Sequence, residues 1–427
     1  MKDPCDLTAV EAISRIVQGK LTRAALVASC AERIKTREPQ VQAWQYLDIE
    51  AALDRARARD KSPRNDVLQG IPFGVKDIIE TADMPTEYGS RIYRGNRTTW
   101  DAACVAITRD AGGILLGKAV TTEFAHRPGG KTHNPWDPAR TPGGSSSGSA
   151  AAVAAGMVPV AYGTQTGGST IRPAAFCGVV GYKPTFGDFP LFGVREHARS
   201  FDTLSVIARS LDDVELFRAV LLKERPDPAP TPDGAALRIG FCRTPYWDQA
   251  EESTQRMLED AAAKLAAAGA KVSEVELPPI FPRFADAARN VGGFEFVQQL
   301  AFELTCHRDQ LSEALLAGRV KDGLACSFQQ YAESRIVMDE CRRRMAEIFE
   351  RHDVLLTPAA PGEAPEGHES TGNAIFNCLW TELHLPALTI PTFKGPRRLP
   401  IGPQLIGKWS DDRRLIAAAK WIAARLI

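Results

Sequence analysis

Three segments of this 427-residue chain carry residue types that packing alone does not explain. The first, Gly70-Ile71-Pro72-Phe73-Gly74-Val75-Lys76-Asp77, is an apolar strand pattern running straight into a lysine, which sets an amine at a buried edge. Taken by itself, Lys76 reads as a structural lysine paired with Asp77 or a nearby carboxylate. The second, Thr141-Pro142-Gly143-Gly144-Ser145-Ser146-Ser147-Gly148-Ser149, has the composition of a flexible loop. It lacks the Lys-Ser/Thr ending of a phosphate loop, and Trp136 and an Ala-rich stretch bound it, so a free linker fits poorly. The third is Gly163-Thr164-Gln165-Thr166-Gly167-Gly168-Ser169-Thr170-Ile171-Arg172-Pro173-Ala174. Two glycines before Ser169 let the backbone turn tightly and point successive N–H groups into one small space, where an oxyanion could sit while the serine attacks.

Together the three segments resemble the amidase signature family, in the order lysine, GGSSSGS, then GGS followed by Arg-Pro. Lys76 precedes Ser145 by 69 positions and Ser145 precedes Ser169 by 24, intervals that fit the family. Thr122-Glu123-Phe124-Ala125, Asn134-Pro135-Trp136, Gly178 to Thr185, Leu356-Thr357-Pro358, Leu385-Pro386-Ala387-Leu388 and Gln404-Leu405-Ile406-Gly407 extend the likeness along the whole chain. One departure is that Gln165 stands where many members carry Asp, and Arg172 directly precedes Pro173. This variant looks like the compact, malonamidase-like bacterial branch, and it leaves open what Gln165 and Arg172 touch.

The resemblance implies an α/β fold with a large mixed β-sheet flanked by helices on both faces. It implies hydrolysis of a small carboxylic amide through an acyl-enzyme, with Ser169 as nucleophile, Ser145 as relay, Lys76 as base and a cis peptide before Ser145. No histidine is placed by motif to be the base, and Lys76 must be neutral to accept a proton, which burial can achieve. Thr166, Gly167, Gly168, Gly144 and Arg172 are the expected oxyanion and substrate-binding residues, with Ser146 and Asp77 supporting them. Neither a metal nor an organic cofactor is expected. The alternative within the same family is the catalytic A-type component of a tRNA-dependent amidotransferase.

Composition bounds the rest. Lys plus Arg and Asp plus Glu balance at 52 each, so no basic excess points to nucleic acid or a membrane surface; the expected partner is a small-molecule amide, with a homodimer as a family-level expectation. Nine scattered cysteines without CxxC spacing and an N-terminus without a signal pattern fit a reduced, cytoplasmic protein. The stretch His126, Arg127, Lys131, His133 and Arg140 is basic, either as a solvated loop or as a pocket wall favouring carboxylate-bearing half-amides.

Around these segments, the patterns predict helices capped by Thr8 and Thr22, a helix over 103–110, a strand at 114–117, a helix over 149–155 stopped by Gly156 and a strand over 158–162. Strand 238–242, a helix from about 251 to 268 and strand 271–277 follow. The chain reads as one amidase domain over 1–427, with the Pro-rich segment 224–235 as the candidate sub-boundary.

Overall fold

The computed structural model describes residues 2–426 apart from Arg64, Arg127, Thr231, Ala235 and Ala236. Two helices open the chain, α1 (Ala9–Val17) and α2 (Arg23–Val41), and the Thr8 and Thr22 hydroxyls accept from Glu11 N and Ala25 N to cap them. Next come β1 (Trp44–Leu47), α3 (Ile49–Asp60), β2 (Pro72–Lys76), α4 (Ala103–Asp110) and β3 (Ile114–Ala119). They lead to α5 (Ser147–Ala154), β4 (Val160–Gln165), α6 (Ile171–Cys177), β5 (Val180–Lys183), β6 (Thr203–Ala208) and α7 (Leu211–Leu221). Beyond the Pro-rich segment lie β7 (Arg238–Phe241), α8 (Glu252–Ala267) and β8 (Lys271–Glu274). Helices α9 (Phe284–Gln299), α10 (Ala301–Cys306), α11 (Glu313–Leu315), α12 (Lys321–Ala325) and α13 (Phe328–Arg351) then follow one another. The chain continues through β9 (Val354–Pro358), α14 (Ile375–Glu382), β10 (Ala387–Thr389), β11 (Phe393–Lys394), β12 (Pro400–Ile401), β13 (Pro403–Gly407) and α15 (Asp412–Leu426).

Eleven strands form one mixed sheet in the order β1-β3-β2-β4-β6-β5-β10-β13-β9-β7-β8, with helices on both faces. After the Pro-rich segment, β7, β8, β9, β10 and β13 join the same sheet as the strands before it, and β11 pairs with β12 in a separate two-stranded sheet. β2 pairs in parallel with β3 and β4, and β7 with β8 and β9, while the remaining pairs in this sheet are antiparallel. The central strands are covered on both faces, which is why β3 reads as the unbroken run ILLGKA with every residue buried.

Two features of this architecture set up the site. The parallel register of β2 on β4 (Phe73↔Val160, Val75↔Tyr162) brings the carboxyl ends of both strands out at one edge, and Lys76 and the 166–169 turn lie at those ends. Helix α5 lies in the core itself, with Ser147 through Val153 buried, so it needs no polar face and can be built from Ser, Gly and Ala. A side chain at Gly148 would run into Ala43 O and Val120 N, so the helix packs directly on the backbone there.

The strand expected over 158–162 runs instead over Val160–Gln165. Its polar end, Gly163-Thr164-Gln165, resembles a loop in sequence, but β6 pairs with it as far as Gln165↔Thr203. The helix expected from 149 begins two residues earlier, at Ser147.

Candidate active site

Lys76 is fully buried at the end of β2. Its Nζ donates to Ser145 Oγ at 2.7 Å and to Thr164 Oγ1 at 2.8 Å. Burial brings its amine from 10.5 down to about 7, against the opposing pull of the Asp202 carboxylate. Ser145 is 2% exposed and follows a cis Gly144–Ser145 peptide. Ser146 N donates to Ser169 O at 3.2 Å, which ties the two serine segments together. Ser169 itself is only half-buried, and among the described residues it makes no side-chain hydrogen bond to Ser145.

The turn carrying Ser169 is clamped by Gln165. Its Oε1 accepts from Thr170 N (2.8 Å) and Ile171 N (2.9 Å), and its Nε2 donates to Thr381 Oγ1 at 2.8 Å. Thr381 Oγ1 in turn donates to Gly167 O at 2.6 Å. A carboxylate at position 165 could accept the same two N–H groups but could not donate onward, so glutamine adds a link from the turn to α14. The two glycines are required by contact on that side. A Cβ on Gly167 would meet Cys378 Sγ at 3.0 Å, and one on Gly168 would meet Asn377 Oδ1 at 2.5 Å, both from α14. Among the described residues, the N–H groups of Gly167, Gly168 and Ser169 donate to no protein acceptor. Thr166 Oγ1 donates to the buried Asp202 at 2.5 Å, and Asp202 also accepts from His197 N and Ala198 N.

The remaining expected residues hold loops. Arg172 donates to Gly144 O (2.5 Å), Gly372 O (3.0 Å) and Thr371 Oγ1 (3.0 Å), which fixes the cis-peptide loop against the 371–372 segment. Ser146 Oγ donates to Thr164 O and accepts from Thr164 N. Asp77 accepts from Glu87 N and lies 3.9 Å from the buried Lys118 amine; burial raises the acid and lowers the lysine. In the basic stretch, Arg140 is tied to Asp137, Ala364 O and Glu366, and His133 Nδ1 lies 2.8 Å from Pro138 O, so both serve loop structure. Arg127 lies outside the described residues.

Thr164 and Asp202 were given no individual role from sequence. Thr164 sits five positions before Ser169, and its place on an inward face of β4 was the available signal. Asp202 and α14 reach the turn only through tertiary packing. Among the described residues, no group of His, Cys, Asp and Glu is arranged to hold a metal.

The Amidase family model matches residues 25–416, and this chain belongs to that family. It is an amide-cleaving hydrolase. The A-type component of the glutamyl-tRNA(Gln) amidotransferase of Chloroflexus aggregans is 33% identical over 461 residues, covering 96% of this chain and 94% of that one. A solved amidase structure superposes with a TM-score of 0.90 at 27% identity, covering 99% of this chain and 100% of that one. The peptide amidase of Stenotrophomonas maltophilia gives 0.78 at 28% identity over 99% and 97% of the two chains. These relatives correct one expectation. The balanced charge was read as leaving only a small-molecule partner or a second copy of the chain and no nucleic acid, yet relatives matching nearly end to end are components of an enzyme named for a tRNA. The physical reason is that net charge sums over the whole surface, so it excludes neither a local contact nor one made through another protein chain. No helix among the described residues is long and apolar enough to cross a membrane.

Proposed function

We propose that this enzyme cleaves the C–N bond of a small carboxylic amide through an acyl-enzyme on Ser169. The observation that carries the reading is the buried Lys76 amine, held 2.7 Å from Ser145 Oγ and lowered to about 7 by burial, beside a turn with free N–H donors and a half-buried serine. Ser169 Oγ attacks the amide carbon as its proton passes to Ser145 Oγ and that of Ser145 passes to Lys76 Nζ. The N–H groups of Gly167, Gly168 and Ser169 take the oxyanion, each worth about 3 kcal/mol to the transition state. Collapse expels the amine, which takes the proton back along the relay, and water then attacks the ester by the same route to release the acid. Gly144 and Arg172 support the reading through the loop that presents Ser145, and Ser146 and Asp77 through the segments carrying Thr164 and Lys76. Residues 1–427 form one catalytic unit in this account, since the sheet runs on across the 224–235 segment.

A second reading is favoured by the near full-length likeness to the A-type components of amidotransferases: the same chemistry applied to glutamine, with the ammonia passed on. The test is ammonia release by the isolated chain from a panel of simple primary amides and from glutamine. Turnover of simple amides by the isolated chain supports the first reading. Turnover confined to glutamine selects the second.

A further inference from the structure

A buried acid and a guanidinium lie near the turn carrying Ser169, and among the described residues neither side chain is paired. Glu382 is 5% exposed, yet among those residues its carboxylate takes no hydrogen bond and no ion pair. It ends α14 four residues after Cys378, so both side chains lie on one face of that helix, about 5–6 Å apart along it. Cys378 Sγ is the atom packed against Gly167, and the neighbouring Thr381 hydroxyl is bonded to Gly167 O. Glu382 is therefore one helical turn from the cysteine that packs against Gly167.

Arg319 approaches from the irregular turn between α11 and α12. Its Nη1 is buried against Gly292 without a hydrogen-bond partner, and its backbone N–H faces His126 Nε2 at 3.5 Å. His126 lies 5.5 Å from the His197 ring, and His197 N donates to Asp202, which holds Thr166 of the turn. Arg319 is within electrostatic reach of Glu382, Cys378 and His197 alike, but it is not within ion-pair distance of Glu382. The other groups around Glu382 do not satisfy it either. Arg342 of α13 donates to Asp339 and to the backbone carbonyl of Glu382, and the half-buried Tyr246 phenol makes no side-chain bond to it. A buried carboxyl and a guanidinium nitrogen left without bonded partners each carry a desolvation cost that a bridging group would relieve.

We propose that Glu382 and Arg319 read the end of the substrate remote from the scissile bond, and that this end presents an N–H donor to Glu382 beside an acceptor for Arg319, as a second carboxamide does. The inference rests on acylation at Ser169. A carboxylate end offers the acceptor but places a second anion at Glu382, and a methyl end offers neither.

The test compares butane- to hexanediamide with the matching half-amide acids and the matching alkyl amides, as kcat and KM for ammonia release by the full chain. The diamide should exceed the alkyl amide at least tenfold in kcat/KM, with the difference in KM, and should also exceed the half-amide acid. Glu382→Leu should shrink the diamide preference to threefold or less. Glu382→Gln, which keeps an acceptor and the same volume, should retain more of it than Glu382→Leu; thermal unfolding checks that both variants fold. Equal KM for diamide and alkyl amide in the wild type, a half-amide acid as the best substrate, or an unchanged preference in a folded Glu382→Leu enzyme would each overturn the proposal. If Ser169 reacts with a fluorophosphonate but no diamide is turned over, the substrate class is wrong and the nucleophile stands. If Ser169 does not react, it is the underlying catalytic reading that fails.

Discussion

Replacing or titrating Lys76 tests the proton path. With its amine near 7, the neutral fraction is about one tenth at pH 6, about half at pH 7 and about nine tenths at pH 8. The protonated form cannot accept the Ser145 proton, so kcat/KM should rise about tenfold from pH 6 to pH 8 and then level off. A lysine at its ordinary value would instead keep gaining about tenfold per pH unit through pH 9. Lys76→Met keeps much of the stem volume without the amine and should remove about 10²- to 10⁴-fold of turnover, the usual contribution of a general base. Lys76→Arg should be nearly as damaging, because a guanidinium stays protonated throughout this range. The assay is initial-rate ammonia release from pH 5.5 to 10, with circular dichroism of each variant. A wild-type profile still climbing at pH 9, or a folded Lys76→Arg enzyme with most of the wild-type rate, would refute the base assignment.

Asp202→Asn removes the negative charge that favours protonated Lys76, so the rise of the kcat/KM profile should move to lower pH; a shift to higher pH would contradict the electrostatic coupling. Gln165→Leu leaves Thr170 N and Ile171 N buried without an acceptor, at about 1–3 kcal/mol each, and should lower both Tm and kcat. Gln165→Glu keeps that acceptor and should recover most of the loss, read by thermal unfolding and steady-state kinetics. Ser145→Ala should retain more turnover than Ser169→Ala, since water can stand in for a relay hydroxyl but not for the nucleophile.

The Lys76, Ser145 and Ser169 segments were legible because their glycines and serines are set by local backbone demands and by motif order. The capping threonines of α1 and α2 and the helix α8 were legible for the same reason, being short-range patterns. What escaped was set by distant partners. The polar end of β4 is strand only because β6 pairs with it, and the Gln165 contact depends on Thr381, 216 positions away. Asp202 and Glu382 carry no motif, and only their burial in the folded chain makes them notable. The charge balance misled for a related reason: it summed over a surface whose local contacts it does not describe.

Covalent trapping of the nucleophile tests the central claim most directly. The native enzyme, treated with a fluorophosphonate, digested and read by tandem mass spectrometry, should carry one adduct, on Ser169, and the same treatment of Ser169→Ala should leave the protein unlabelled. An adduct on Ser145 or on a cysteine with Ser169 unmodified, or undiminished labelling of Ser169→Ala, would contradict the account.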